Sequence, residues 1–112
     1  MSRYAKTGLD SSDNTRCPSE KQIEQELVKA VKTHGGICPK LVCPGFDGMP
    51  DRLILLPGGK MAFAELKAPG RKPRALQLAR HRLLRRLGFK VYVIDRIGQI
   101  NWVLSEIGGD AT

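Results

Sequence analysis

No apolar run in this chain approaches the ~20 residues that a bilayer-spanning helix requires, and no apolar signal core follows the polar opening MSRYAKTGLDSSDNTR. The expected setting is therefore soluble and intracellular, the cytoplasm, with no membrane partner. Cysteine is scarce. Cys17, Cys38 and Cys43 make an odd set of 3, and the Cys-x4-Cys spacing of the latter two matches neither a zinc knuckle nor a redox Cys-x-x-Cys. All three read as reduced thiols, with Cys38 and Cys43 packing in a strand region. The 2 histidines, His34 and His81, do not stand at metal-ligand spacing and read as surface or rim residues. Trp102 is the single tryptophan, expected in the core or at a dimer contact, and nothing in the pattern predicts base stacking. Negative charge is also in deficit. Eleven Asp and Glu face 19 Lys and Arg, a formal charge of +8, which favours a polyanionic partner, nucleic acid before an anionic membrane surface.

The 112 residues suffice for one domain with a real core. Residues 1–17 are polar and aperiodic, which predicts a disordered tail; the domain is expected over 18–105, with a short C-terminal tail over 106–112. SEKQIEQELVKAVKTHGG opens with a capping box, Ser19 and Gln22, and closes at Gly35-Gly36, so it reads as a helix. Its apolar stripe runs through Ile23, Leu27, Ala30 and Val31. ICPKLVC, DRLILLP and KMAFAELK read as three strands, the last two joined by a PGG hairpin. RALQLARHRLLRRLG follows as a basic amphipathic helix with its stripe centred on Leu76, Leu83 and Leu87; KVYVID reads as a buried strand, and INWVL as a short element of open type. The order αβββαβ predicts an α/β fold, a central mixed sheet flanked by helices.

Two strands of this set carry charge where core residues are usual. Glu65 and Lys67 are two apart and share a face. If Pro57, Gly58 and Gly59 form the turn, Leu56 pairs with Lys60, and counting outward sets Asp51 opposite Glu65, with β-carbons about 4.5–5.5 Å apart. A two-residue turn would move Asp51 to the other face unless a bulge restored the parity. Two carboxylates that close need a cation between them, a raised pKa or a neighbouring ammonium. Lys67 supplies the ammonium, and a hard divalent ion such as Mg²⁺ suits paired carboxylates beside a phosphate. Such a site activates water next to a phosphodiester. On the first helix Glu24 falls between Val31 and Val28, and Glu20 lies in the same sector one turn earlier; either carboxylate is a candidate to face the site, although Glu20 also suits the helix dipole. The basic residues Arg71, Lys72 and Arg74 follow the strand closely enough to contact phosphates.

GMPDRL followed at fourteen residues by ELK, with a hairpin between, an acidic helix before and a glutamine in the helix after, resembles the PD-(D/E)xK nuclease signature. PGFDGMPDRLILLPGGKMAFAELKAPGRKPRALQ is more specifically similar to the VRR-NUC branch, the virus-type replication-repair nucleases, over about residues 19–95. The resemblance implies a restriction-endonuclease-like core in which Asp51, Glu65 and the Leu66 backbone carbonyl bind Mg²⁺ or Mn²⁺ and Lys67 is catalytic. It places the family's helix glutamate on Glu24 or Glu20 and its downstream glutamine on Gln77. It further implies an endonuclease acting as a homodimer on branched DNA such as Holliday junctions, phage-encoded in a bacterial host, without a small-molecule cofactor. Two other readings stay open: a non-catalytic basic module that binds nucleic acid, and a nuclease subunit active only within a restriction or repair complex.

Overall fold

The computed structural model describes residues 17–108; apart from Cys17, the expected N-terminal tail lies outside them, as do residues 109–112. In chain order the elements are α1 (Glu20–Thr33), β1 (Arg52–Leu56), β2 (Lys60–Leu66), α2 (Ala75–Arg86), β3 (Val91–Ile94), a 3-10 turn over Ile97–Gln99 and α3 (Ile100–Gly108). The helix α1 starts as its sequence dictates. The Ser19 hydroxyl accepts from the Gln22 amide at 3.1 Å, and the Gln22 side chain accepts from the Ser19 amide at 2.8 Å. Its buried residues are Ile23, Leu27 and Val31, one stripe at helical spacing.

The sheet is mixed, in the order β1-β2-β3, with β2 antiparallel to β1 and parallel to β3. Strand alternation divides the residues of β2 between two layers. Ala62, Ala64 and Leu66 face a core built from α1, α3, Ile54 and Ile94. Phe63 faces the other way, toward Leu84 of α2, Val91 and the partly buried Leu53 and Met61. Ile23, Leu27, Ile54 and Ile94 are 0% exposed, and each contributes roughly 1.5–3 kcal/mol through burial.

Three expectations are corrected. The strand over ICPKLVC does not form: residues 37–40 touch β1 only through isolated bridges, Ile37 to Leu55 and Lys40 to Arg52. Pro39 stands between them with no N–H to donate, although its carbonyl accepts from Leu53 at 3.0 Å. The order is thus αββαβα, because INWVL belongs to α3. Secondly, the expected domain end at residue 105 falls inside α3, whose Ile107 is packed in the core. Thirdly, α2 is rotated from its expected phase. Gln77, His81 and Leu84 are buried, while Leu76 and Leu87 are 46% and 64% exposed. Trp102 is exposed on α3 and meets only the edge of Tyr92 among aromatic rings of the described residues. The cysteines are free, Cys38 buried in the core. No helix among the described residues is long and apolar enough to cross a membrane.

Candidate active site

The hairpin sets the site. Residues 57–59 form the turn, Leu56 pairs with Lys60, and the ladder runs back to Arg52 opposite Ala64. One step further, Asp51 reaches the end of β2, where its Oδ2 accepts from the Leu66 amide at 2.8 Å. On β2 the amides of Phe63 and Lys67 turn toward β3. The N–H and C=O of Leu66 therefore turn to the opposite edge, the one Asp51 occupies.

Glu65 shares the α2-facing side of the sheet with Phe63. Its carboxylate is 1% exposed and lies close to Asp51 and to three further side chains. Gln77 Nε2 donates to Oε2 at 2.8 Å, Lys67 Nζ lies 3.6 Å from Oε2, and His81 Nε2 lies 3.6 Å from Oε1. The last separation is too long for a hydrogen bond, so Oε1 and both His81 ring nitrogens are buried without partners among the described residues. Burial first, and then the Asp51 carboxylate, push the Glu65 pKa up to about 7 against the pull of Lys67. Burial and the Arg85 charge hold His81 below the usual histidine value, so at neutral pH the ring is uncharged and is no ion-pair partner. Gln77 does two jobs. Its Oε1 accepts from the Arg74 amide at 2.8 Å while its Nε2 holds Glu65, which ties the start of α2 to the carboxylate.

The two helix glutamates separate. Glu24 Oε2 accepts from Arg52 Nε at 2.9 Å, and Arg52 also donates to the Cys38 carbonyl. Arg52 is one residue from Asp51 and projects to the opposite face of the sheet, so Glu24 is engaged away from Glu65. Glu20 instead lines the cleft on both sides of the strand end, with Lys67, Arg71, Lys72 and Arg74 in one groove and with Asp51, Glu24 and Lys40 in the next. The structure thus brings together Asp51, Glu65, Lys67 and Gln77, with Glu20 at the mouth, while Glu24 lines the Asp51 groove but is held by Arg52. His34 is exposed as expected, whereas His81, expected at a rim, is 0% exposed. His81 lies four residues after Gln77, one turn along the same helical face. Two polar residues at that spacing were the available signal.

Asp51 and Glu65 offer oxygen donors, the preference of Mg²⁺ and Mn²⁺. The unpartnered Glu65 Oε1 and the mutual repulsion of the pair are what a bound cation would relieve. Among the described residues no three His, Cys, Asp or Glu side chains converge as a closed metal cluster. A hard ion held by two carboxylates, water and phosphate oxygens needs no such cluster.

A buried carboxylate beside a second acid and a lysine, at the end of a hairpin in an α/β sandwich, defines a nuclease-like class of site. No family model matches the chain. It is 51% identical over 76 residues, 68% of its own length and 82% of the relative's, to "Putative nuclease p44" of Acyrthosiphon pisum secondary endosymbiont phage 1. A solved "VRR_NUC domain" structure is similar at TM-score 0.72 and 28% identity, covering 78% of this chain and 96% of that one. The chain belongs to the VRR-NUC family of nucleases. The substrate class that follows is nucleic acid.

Proposed function

We infer that the protein is a Mg²⁺- or Mn²⁺-dependent endonuclease that hydrolyses DNA phosphodiesters, acting as a homodimer on branched DNA such as a four-way junction. The observation that carries this reading is the buried Glu65, with one oxygen unpartnered among the described residues, set beside Asp51 and Lys67. Asp51, Glu65 and the Leu66 carbonyl would hold the ion. Bound there, it supplies charge neutralisation at the scissile phosphate and acidifies water. Gln77 fixes the Glu65 carboxylate from one side, and the uncharged His81 ring packs on the other. Lys67 is half-buried at the groove. Its ammonium orients the attacking water and stabilises negative charge on the phosphoryl oxygens. The water oxygen bonds to phosphorus in line as the bond to the leaving sugar oxygen breaks. Water gives up one proton and the leaving oxygen gains one.

Size supports the dimer reading: the described domain has extents of 46 × 34 × 21 Å, and two copies would supply a longer basic face and two cuts. The test is a cleavage panel of labelled junction, flap and linear duplex with Mg²⁺ or EDTA, alongside sedimentation. Metal-dependent cutting that Asp51→Ala abolishes and Lys67→Met lowers about 10²- to 10³-fold supports the reading. Binding of every substrate without cutting would instead favour a non-catalytic module, and cutting only with an added partner would favour a subunit of a larger complex.

A further inference from the structure

The cleft does not end at the catalytic residues. The groove of Lys67, Arg71, Lys72 and Arg74 shares Glu20 with a second groove containing Asp51, which shares Glu24 and Lys40 with a third running along α1. That third groove is about 530 Å³ and is walled by Lys21, Lys29, Lys32 and Lys40. At ~100° per residue Lys21, Val28, Lys29 and Lys32 fall within a sector of roughly 100° on the helix. All four lysines are exposed.

The charge of this groove is one-sided. Its one acid, Glu24, is neutralised by Arg52 at 2.9 Å, and Lys29 makes a surface pair with Glu26 at 3.6 Å. Among the described residues Lys21, Lys32 and Lys40 have no ion pair. From Lys21 to Lys32 the helix rises about 16 Å, the axial length of about five base-pair steps of a duplex at ~3.4 Å each. A small anion would occupy one end of such a row; a polyanion fills it.

We propose that the α1 groove is a second track for the phosphate backbone of the nucleic acid, so that the substrate crosses the site from Arg71, Lys72 and Arg74 and continues over Lys40 and Lys21 to Lys32. This rests on the nuclease reading above. The track explains why a chain with a +8 charge sets lysines on α1 as well as beside the catalytic strand. It contributes affinity and orientation without sequence preference, since it reaches phosphates and no base edges.

The experiment measures equilibrium binding of the full chain to a fluorescent DNA duplex and a four-way junction, with Ca²⁺ in place of Mg²⁺, across a salt series. The variants are Lys21→Ala/Lys32→Ala/Lys40→Ala and, for comparison, Arg71→Ala/Lys72→Ala. Losing up to three phosphate contacts makes the plot of log K against log salt shallower by roughly 2–3, at about 0.9 per contact. Cleavage under saturating DNA is expected to keep its rate in the triple-lysine variant while KM rises at least about tenfold. A duplex too short to reach Lys40 and Lys21 is expected to bind the triple variant and the wild type equally. An unchanged slope and KM in the triple variant, with binding weakened by Arg71→Ala/Lys72→Ala, would overturn the α1 track and leave the nuclease reading standing. A wild-type chain that neither binds nor cuts DNA would refute both.

Discussion

Replacing Glu65 by glutamine is expected to make the metal-free protein more stable at neutral pH, against the usual result of altering a buried, hydrogen-bonded residue. Folded Glu65 titrates at about 7 rather than its ordinary 4.5. Below about pH 4.5 the folded and unfolded chains both hold the proton, and the group has no effect on stability. As pH rises toward 7 the unfolded chain releases it while the folded chain retains it, so stability falls; above about 7 the loss is complete. At ~1.4 kcal/mol per pH unit, the full span is on the order of 3 kcal/mol. Glutamine has the same shape, accepts from Gln77 through its carbonyl oxygen, and can donate its amide toward His81, whose ring nitrogens are otherwise unpartnered among the described residues. Urea denaturation in EDTA at pH 5 and pH 8 is the assay. The difference between Glu65→Gln and wild type should grow by on the order of 3 kcal/mol toward pH 8, a Tm shift of about 10–20 °C. Adding Mn²⁺ at about 1,000 times its Kd should reverse the order, because it stabilises only the wild type, by about 4.1 kcal/mol. Parallel pH profiles for the two proteins in EDTA would refute the assignment of Glu65 as a strained, proton-holding carboxylate.

The same proton competes with metal. Calorimetric affinity for Mn²⁺ should therefore rise about tenfold per pH unit up to about 7 and level off above it. Glu24→Gln should cost about 1–2 kcal/mol in urea denaturation, because Arg52 loses a charged partner at 2.9 Å, yet leave cleavage nearly intact. Glu20→Ala should do the reverse, changing stability by less than about 1 kcal/mol while lowering the cleavage rate in the same panel. Gly48 has φ +90°, and an added β-carbon would lie 2.8 Å from Leu76 Cγ; Gly48→Ala should cost about 1–3 kcal/mol in the same denaturation assay and loosen the loop that delivers Asp51.

The hairpin was legible because its register depends on local quantities, a turn length and a two-residue side-chain period, and those suffice to bring Asp51 to the end of β2 beside Glu65. The cap of α1 was legible for the same reason, as Ser19 and Gln22 act within one turn. What depends on distant partners was not. Arg52 selects Glu24 across 28 residues of sequence, so nothing within α1 itself separates Glu24 from Glu20. The phase of α2 is set by what β2 offers. A buried carboxylate draws Gln77 and His81 inward and leaves Leu76 and Leu87 outside, a reversal that hydrophobic periodicity cannot register. Residues 37–43 have strand-like side chains, but Pro39 and Pro44 interrupt the donors a ladder needs.

The segment over residues 37–40 has a consequence for assembly. It lies along the outer margin of β1 and takes up the N–H of Leu53 and both the N–H and C=O of Leu55, so that margin is a poor template for a strand from another molecule. Two copies cannot join by continuing the sheet past β1 without first peeling this segment away. Association has to use other surfaces.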